Sequence, residues 1–552
     1  MRLKFLVTAT LASAGQAVCA QQVPPGVGQQ LQQIPPPPVV EKSAPDLAVE
    51  RAAPAPSDAD GTRIRVSALR ITGQTLYSEA DLIVAAGFVA GQEMTLGDLR
   101  NAAARISSFY NARGYFLAQA YLPAQDIAGG AVTISVVEGR YGTVDIRNRS
   151  KLSTARLEYV LAGLDGGDIV ATAPLERRLL LLSDTPGVRV KSTLAPGAEV
   201  GTSDLIVDVT PAPRISGSVE ADNAGNRYTG IYRFGGSLNF NELFGIGDVL
   251  SLRVLGSDGG LGYGRIAYQA PVGNLTLGAA YTHLRYELGR EFRSLNADGK
   301  ADIFGLSASY PLVRSRGGNL YALAGVDVKL LEDNIGLVSA RSRRTSKVAT
   351  LGFSGDSRDH GGWNSFSAGW SFGDLRFRDP LERVADSLAG RTEGGFNKVQ
   401  ASFARLQTVS GPFSLYGAVR GQAAFDNLDS SEKIELGGAY AVRAYPEGEA
   451  YGDTGYVATF EARLALNRWA TAFPGQLQLI GLVDTGEVEY AHDPWFAGSN
   501  HTRRSGYGAG LNWFGPDGFS ARASYARRIG SQPVTSGPDK DGRFWFQIAK
   551  LF

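Results

Sequence analysis

The sequence predicts a transmembrane β-barrel of about 16 antiparallel strands, preceded by two small α+β modules. Three observations support this fold class. Short segments with apolar residues on one face fill residues 214–552, glycine and aromatic residues are abundant, and an internal repeat precedes the strands. Lipid outside and water inside a closed barrel produce one-sided strands, because successive side chains point to opposite faces. A soluble β-sandwich also alternates, so alternation alone is compatible with both architectures.

The N-terminus has the pattern of a secretory signal peptide over residues 1–20. Arg2 and Lys4 precede the apolar stretch 5–12, and Val18-Cys19-Ala20 ends in a small-residue cleavage site. Cys19 is the only cysteine, so the exported chain is predicted to have no disulfide, thiolate metal site or cysteine nucleophile. After the N-terminus the sequence contains no run of about 18 apolar residues, so no membrane-spanning helix is predicted. Export then indicates a bacterial periplasm or outer membrane.

Residues 21–60 are predicted to form a proline-rich linker. They contain nine of the 25 prolines, four of them consecutive at Pro35–Pro38. Such a stretch favours polyproline II and does not build a core of its own. The glutamine-rich segment Val27–Ile34 has room for only a helical turn or two.

The charge balance and the composition exclude one class of partner and favour another. Lys plus Arg number 55 and Asp plus Glu number 54, so the net charge of +1 gives no basis for nucleic-acid binding. The chain has 69 glycines, 22 tyrosines and 25 phenylalanines. Tight turns and aromatic girdles of a membrane barrel use these residues.

Residues 61–140 have the pattern of an α+β module in the order strand, helix, helix, strand, strand. Ser78 and Thr95 precede acidic residues as helix caps, and apolar residues recur at helical spacing after Thr95. Gly87 and Gly114 end the two helices. The predicted strands are 66–71, 115–122 and 132–137.

Residues 141–213 repeat this order. Ser153 is predicted to cap the first helix, and Pro174 suits the first turn of the second helix. The strands are predicted at 142–147, 188–193 and 205–209. Two modules of under 90 residues with one topology indicate an internal repeat. The apolar stripes of their helices are interpreted as core packing.

Pro211-Ala212-Pro213 marks the border with the predicted barrel. In the segment 476–484, Asp484 falls on the lumen side, although Ile480 and Leu482 interrupt the polar pattern there. The last strand has an apolar outer row, broken by Lys550 and ending at Phe552. A membrane strand with its turn or loop takes roughly 20 residues, so residues 214–552 accommodate about 16 strands.

Motifs in a fixed order resemble those of the two-partner secretion transporters, outer-membrane proteins related to the barrel-assembly insertase. The first module contains Arg113-Gly114-Tyr115, Pro123-x-Gln125-Asp126 and Val137-Glu138-Gly139. The barrel contains Asp222-Asn223, Thr229-Gly230, Gly245-Ile246-Gly247-Asp248, Tyr268-x-x-Pro271-Val272-Gly273 and Tyr310-Pro311-Leu312-x-Arg314-Ser315. More specific are Val442-Arg443-Ala444-Tyr445, Gly481-x-x-Asp484-x-Gly486 and the terminal Phe552. The resemblance runs from about residue 64 to the end.

The resemblance implies a mechanism and a set of partners. Two POTRA modules, 61–140 and 141–213, would capture an unfolded, large secreted exoprotein of the haemolysin or haemagglutinin type by strand addition to a sheet edge. The exoprotein would then pass through the barrel 214–552 and fold outside the cell, without a nucleotide or other cofactor. The other implied partners are outer-membrane lipid and the outer-membrane assembly machinery. The transporter itself is expected to be a monomer.

The resemblance also names the site residues. The motif Val442-Arg443-Ala444-Tyr445 would form the tip of a long extracellular loop that folds back into the lumen. Arg443 would contact Asp484 there, because a guanidinium can hold a carboxylate with two hydrogen bonds. A solvated contact of no importance is the alternative. Phe552, a C-terminal aromatic residue, resembles the signal that the outer-membrane assembly machinery recognises; an ordinary girdle aromatic is the alternative.

The sequence departs from the family pattern in two places. Ala444 stands where the family usually has glycine, which would be strained if that position had a positive φ. The family's N-terminal plug helix precedes its linker, whereas only Val27–Ile34 precedes the prolines here. A full-length plug helix is therefore not expected.

No catalytic or metal-binding constellation is predicted. The four histidines, His283, His360, His492 and His501, have no metal-ligand spacing, and no nucleophile elbow or phosphate-binding loop occurs. The alternative function is an outer-membrane assembly insertase, which usually has more POTRA modules. A passive porin or a surface receptor with ligand-binding modules is a different class, and a porin needs no periplasmic repeat. An outer-membrane lipase would need a Ser-His pair that the spacing does not offer. The sequence does not identify the exported partner.

Overall fold

The computed structural model describes residues 24–37, 46–49, 63–127, 129–467 and 473–552. The predicted signal peptide lies outside the described residues. No helix in the described part of the chain is long and apolar enough to span a membrane. The N-terminal segment contains helix α1 (Val27–Gln32) and strand β1 (Asp46–Val49).

The first α+β unit contains strands β2 (Arg63–Val66), β3 (Ala68–Thr72), β4 (Gln92–Thr95), β5 (Gln119–Tyr121) and β6 (Ala131–Val137), with helices α2 (Glu79–Ala86) and α3 (Leu96–Ala112). The predicted caps are confirmed: Ser78 and Thr95 accept hydrogen bonds from the first turns of their helices. The strand predicted at 115–122 is wrong for its first half. A turn occupies that half, in which the Ala118 amide donates to the Tyr115 carbonyl.

The second unit contains strands β7 (Arg140–Asn148), β8 (Val188–Pro196) and β9 (Thr202–Pro211), with helices α4 (Thr154–Leu161) and α5 (Thr172–Ser183). Its sheet has the order β1-β8-β9-β7, so strand β1 from the N-terminal segment forms one edge. The two units have separate apolar cores, in which buried residues of the helices pack on the sheets. The strand, helix, helix, strand, strand order recurs as predicted.

Sixteen antiparallel strands then close into a barrel, which confirms the predicted fold class. They are β10 (Ile215–Asp222), β11 (Arg233–Asn241), β12 (Val249–Ser257), β13 (Gly262–Val272), β14 (Leu275–Glu287), β15 (Ala297–Arg314), β16 (Gly318–Ile335), β17 (Ala340–Asp359), β18 (Gly362–Phe377), β19 (Gly394–Ser410), β20 (Phe413–Ala424), β23 (Thr454–Ala465), β24 (Gln476–Glu489), β25 (His501–Phe514), β26 (Phe519–Arg528) and β27 (Gly542–Leu551). The intervening strands β21 (Ile434–Glu435) and β22 (Tyr451–Gly452) pair only with each other. A helix, α6 (Pro380–Leu388), lies between β18 and β19.

One end of the barrel packs against the second α+β unit. The Arg156 guanidinium donates to the Gly273 carbonyl at 2.5 Å, and Arg314 forms two hydrogen bonds with Asp184 at 2.7 Å. The turns that contain Gly273 and follow Arg314 therefore mark the end of the barrel at which the α+β units lie. The loops at the other end include 425–453 and the segment that contains α6.

The outer and inner faces of the strands follow the predicted alternation. In β24, Leu479 and Val483 are exposed on the outside, while Ile480, Leu482 and Asp484 are buried inside. Lys550, which breaks the outer row of the last strand, turns to the barrel end: its ammonium donates to the Asp517 carbonyl and lies 4.2 Å from the centre of the Phe519 ring. Its charged head thereby leaves the apolar band.

Candidate functional site

The lumen is crossed by the long loop 425–453, which connects β20 to β23 and folds back between the barrel walls. The short pair β21–β22 forms its stem. At its tip, Val442, Ala444 and Tyr445 are at most 1% exposed. They pack with Ile480 and Leu482 of β24, the two residues that interrupt the polar face in the sequence. These interruptions therefore form an apolar seat for the loop tip.

Arg443 connects this tip to the barrel wall with three hydrogen bonds from its guanidinium, all 2.8 Å long. Two go to the two oxygens of Asp484 and one goes to Oε1 of Glu461. The Arg443 amide also donates to Asp484, at 3.2 Å. The structure thus brings Arg443 and Asp484 together in the bidentate geometry that the resemblance implies.

The surroundings of this pair remove it from bulk water. The side chain of Asp484 is completely buried, and those of Arg443 and Glu461 are about one-tenth exposed. Thr459 donates a further hydrogen bond to Asp484 at 2.9 Å, and the Trp545 indole donates to the Arg443 carbonyl at 2.6 Å. Loss of one member of such a buried pair leaves the other without its hydrogen-bond partner and away from water, which is costly.

Sequence reasoning missed Glu461 as the second acceptor of Arg443. Glu461 lies directly across from Leu482 on β24 in the strand register, so its side chain faces the lumen. Ala444 is not strained, because the described residues with positive φ do not include it. Alanine therefore fits the loop tip without the backbone freedom of glycine.

The rest of the loop is held by further ion pairs with the wall. Glu432 contacts Lys329 of β16 at 2.6 Å and Lys398 of β19 at 2.9 Å. On the opposite side, Glu449 contacts Arg504 of β25 at 2.9 Å. The loop is consequently tied by ion pairs to β16, β19 and β25, in addition to the apolar seat and the Arg443 contacts of its tip.

Helix α1 and the following prolines lie inside the lumen, which differs from the expectation of a plain linker over residues 21–60. Helix α1 has six residues, so it is a short plug rather than a full-length one. The Arg233 and Arg253 guanidiniums donate to the carbonyls of Gln33 and Pro35 at 2.7 and 2.6 Å. Val27 is fully buried among apolar residues of β14–β16 and the adjacent loops.

The plug and the lumen loop also contact each other. The side-chain amide of Gln33 donates to the Tyr451 hydroxyl at 2.6 Å, and the side-chain amide of Gln32 donates to the Ser431 carbonyl at 2.7 Å. Asp333 of β16 accepts from the Val27 amide at 2.8 Å and from Arg344 at 2.9 Å. Arg344 in turn contacts Asp429 of the loop at 2.7 Å. A displacement of either element therefore breaks hydrogen bonds of the other.

Beside the plug remains a cavity of about 740 Å³. Its lining includes Arg253, Arg265, Asp327 and Lys329, together with Pro35 and its neighbours. The wall also carries the apolar side chains of Leu31 and Ile34, so it combines charged and apolar groups. Among the described residues, no group of three or more histidine, aspartate or glutamate side chains is arranged to hold a metal ion.

The tripeptide Val137-Glu138-Gly139, one of the motifs noted in the sequence, has a clear structural role in the first unit. Glu138 accepts hydrogen bonds from the amides of Thr75 and Leu76 at 2.7 and 2.9 Å and from the Tyr110 hydroxyl at 2.9 Å. Burial acts to raise the pKa of Glu138, but these donors outweigh it, so its pKa lies below the usual value. Glu138 thereby joins the loop before α2 to helix α3.

The C-terminal residue takes part in barrel closure. The Phe552 amide and carbonyl form hydrogen bonds with Gly217 of β10 at 3.0 and 2.9 Å, next to the β10–β27 ladder. Its ring points outward and is 56% exposed. Phe552 therefore sits at the seam where the first and last strands meet, close to the end that carries the α+β units.

A closed 16-stranded barrel with a loop and a plug inside, joined to α+β units at one end, defines the class of outer-membrane transport barrels. The family model described as haemolysin secretion/activation protein ShlB/FhaC/HecB matches residues 201–516, and that of the ShlB-type POTRA domain matches residues 64–139. The chain belongs to the ShlB/FhaC/HecB family. Its barrel lies in the outer membrane and its POTRA region in the periplasm.

Known proteins agree with this assignment. The heme/hemopexin transporter protein HuxB of Haemophilus influenzae strain 86-028NP is 28% identical over 480 residues, which cover 84% of this chain and 82% of HuxB. The outer membrane transporter CdiB of Dickeya dadantii is 26% identical over 456 residues, covering 80% of this chain and 76% of CdiB. These relatives are transporters.

Solved structures share the fold. CdiB from Escherichia coli superposes with a TM-score of 0.71 at 20% identity, covering 91% of this chain and 93% of CdiB. BamA from Haemophilus ducreyi lacking POTRA domains 1–3 superposes with a TM-score of 0.51 at 16% identity, covering 88% of this chain and all of that chain. At these identities the likeness concerns the fold.

Proposed function

We propose that this protein is a translocator that captures an unfolded secreted exoprotein in the periplasm and passes it through the barrel to the cell surface. In this proposal residues 1–20 are a signal peptide that is removed on export, and residues 21–60 connect to the modules and contribute the plug in the lumen. Residues 61–140 and 141–213 are two POTRA modules, and residues 214–552 form the pore. The exoprotein is of the haemolysin or haemagglutinin type. The transporter acts as a monomer, without a cofactor or catalysis.

The observation that carries the proposal is the edge strand of the second module. Residues 46–49 form strand β1 and pair in parallel with β8, from Asp46 opposite Lys191 to Val49 opposite Leu194. This edge therefore accepts an extended segment through backbone hydrogen bonds, which depend little on side chains. An unfolded exoprotein presents the same kind of segment, and it has to displace β1 to bind there.

The lumen fits the second step. The plug and the loop 425–453 fill much of the pore, but they are held by hydrogen bonds and ion pairs that water can replace when they move. The cavity beside the plug has a mixed wall, in which Arg253, Arg265 and Lys329 offer hydrogen-bonding groups to an extended hydrated chain beside the apolar side chains of the plug. Because β1 and α1 belong to one N-terminal segment, displacement of β1 by the exoprotein frees the segment that holds the plug.

A pair of cysteines tests whether the β8 edge must open. Ala48 lies opposite Thr193, and the exported chain is predicted to lack other cysteines. The double variant Ala48→Cys, Thr193→Cys should crosslink in the oxidising periplasm and lower secretion of the co-expressed exoprotein. Addition of a reductant should restore secretion, and each single variant serves as a control. Undiminished secretion by the crosslinked protein contradicts the proposal.

The insertase alternative predicts a different defect. The likeness to BamA concerns the fold, and the chain has two α+β units before its barrel. Loss of a translocator removes one exoprotein from the culture supernatant and leaves the other outer-membrane proteins at normal levels. Loss of an insertase lowers many outer-membrane barrels together. A deletion strain compared by supernatant and membrane protein profiles separates the two functions.

A further inference from the structure

The outer faces of β14–β18 change in character toward the ends that lie away from the POTRA modules. Neighbouring outward positions on these strands, joined by the strand register, form rows across the barrel wall. The first row is apolar and consists of Ala279, Leu306, Val326, Ala349 and Phe372. Two residues further out, the row contains Tyr281, Phe304, Val328, Lys347 and Asp374. The next contains His283, Asp302, Leu330, Thr345 and Arg376, and the outermost contains Arg285, Lys300, Glu332 and Arg343.

This sequence of rows marks the place where the lipid-facing band ends. Phe304, Val326 and Phe372 are between 43% and 51% exposed on the outside of the barrel, as expected of lipid-facing residues. Aromatic residues then give way to charged ones over two rows. The charged rows consequently lie at the level of the outer leaflet's headgroups or just above it.

Four exposed cations of these rows form no ion pair with any described residue: Arg285 of β14, Lys300 of β15, and Arg343 and Lys347 of β17. Arg341 contacts Glu332, and Arg376 contacts Asp374 at 2.9 Å. Arg343 and Lys347 point to the same face of one strand four residues apart, which separates their Cα atoms by about 13 Å.

Helix α6 adds an apolar surface at the same rim. Its polar side faces the barrel: Glu382 accepts from the Arg343 amide at 3.2 Å, and Arg383 contacts Glu393 at 3.0 Å. Its opposite side carries Leu381, Val384 and Leu388, which are 72%, 57% and 81% exposed. A short helix with one strongly apolar face is typical of segments that lie at a membrane interface.

We infer that the outer surface formed by Arg343, Lys347 and helix α6 binds a phosphorylated glycolipid of the outer leaflet. Arg343 and Lys347, the unpaired cations on the strand beside helix α6, would contact headgroup phosphates. The apolar side of α6 would rest among the sugars and upper acyl chains, and the acyl chains would continue along the apolar rows of β16–β18. Continuity with the lipid-facing band favours a lipid over a protein partner, since the bound molecule needs an anionic head and a long apolar body.

Binding of fluorescent diphosphoryl lipid A to the detergent-solubilised full chain tests this site. The double variant Arg343→Gln, Lys347→Gln should bind on the order of 30-fold more weakly, because each interfacial cation contributes about a fivefold factor. The control variant Arg189→Gln, Arg358→Gln removes two exposed charges near the periplasmic side and should bind like the wild type. Dephosphorylated lipid A should bind the wild type as weakly as diphosphoryl lipid A binds the double variant.

A second measurement reports on the helix in nanodiscs that contain lipid A. An environment-sensitive dye on Leu388→Cys should emit at shorter wavelength than the same dye on Ser387→Cys, one position around the helix. Equal lipid A binding by the wild type and the Arg343→Gln, Lys347→Gln variant overturns the inference, and so does equal binding of phosphorylated and dephosphorylated lipid. Equal emission from the two dye positions overturns the part that concerns α6.

Discussion

Replacement of Arg443 by alanine is the sharpest test of the lumen loop. The substitution removes three charge-assisted hydrogen bonds of 2.8 Å, two to Asp484 and one to Glu461. It leaves the fully buried Asp484 with the Thr459 hydroxyl and one backbone amide as its donors. Removal of one partner from a buried ion pair costs about 3–5 kcal/mol. At about 1.4 kcal/mol per factor of ten, the seated loop is then destabilised roughly 100- to 3,000-fold relative to a released loop.

The barrel itself should survive this change, because its strand ladders do not involve Arg443. We therefore expect Arg443→Ala to show the normal heat-modifiable mobility of a folded barrel in outer-membrane fractions, while secretion of the co-expressed exoprotein falls at least tenfold. Arg443→Lys should give an intermediate loss, since one ammonium group does not reproduce the two-pronged contact. Secretion is measured in the culture supernatant and normalised to the amount of folded barrel.

Arg463→Ala is the matched control. Arg463 contacts the same Glu461, at 2.7 Å, but belongs to the wall strand β23 and, within the described part of the chain, forms no hydrogen bond or ion pair with the loop tip. Its removal should leave secretion near the wild-type level. Full secretion by Arg443→Ala, or an equal loss from Arg463→Ala, would refute the view that the loop tip acts through this seat.

Three further changes test other parts of the molecule. Deletion of Phe552 removes two hydrogen bonds at the closing seam and the proposed assembly signal, and should lower the level of folded barrel in membranes; an unchanged level contradicts that role. Asp333→Asn weakens the contacts of β16 with the Val27 amide and Arg344, and should raise the open-channel frequency in planar bilayers relative to wild type. Glu138→Gln should destabilise the first POTRA module at pH 7, as measured by denaturation of residues 61–213. Because the pKa of Glu138 is lowered by folding, its stabilisation is present above the unfolded pKa and is lost as pH falls through the folded one, so the difference between Glu138→Gln and wild type should shrink in acid. A difference that stays constant with pH contradicts this assignment.

Much of the fold could be predicted from local sequence because the pattern is local. Side-chain alternation with a period of two marks each barrel strand, and the caps at Ser78, Thr95 and Ser153 mark helix starts within four residues. The strand count followed from length alone, since a bilayer fixes the strand length. The error at residues 115–122 has a local cause as well: the turn after Gly114 uses residues with strand propensity.

The lumen could be predicted only in part, since its contacts join residues far apart in the chain. The Arg443–Asp484 pair was available from motifs and parity. The plug was not, because the partners of Gln33 and Pro35 are Arg233, Arg253 and Tyr451, some 200 to 400 residues away. The parallel pairing of residues 46–49 with β8 is equally non-local, and the composition of a proline-rich segment does not predict a strand there.

The chemistry of the fixed and the mobile parts differs in a way that suits the proposed transport. The two α+β units are held by apolar cores, whose stabilisation grows with the apolar area that they bury. The lumen loop, by contrast, combines a small apolar seat at its tip with ion pairs at Asp484, Glu432 and Glu449. Buried ion pairs have a large desolvation cost, so they fix one geometry strongly while adding little net stability over a hydrated, released state. A lumen closed in this manner has a defined resting arrangement and can still open when an entering chain and water replace those contacts.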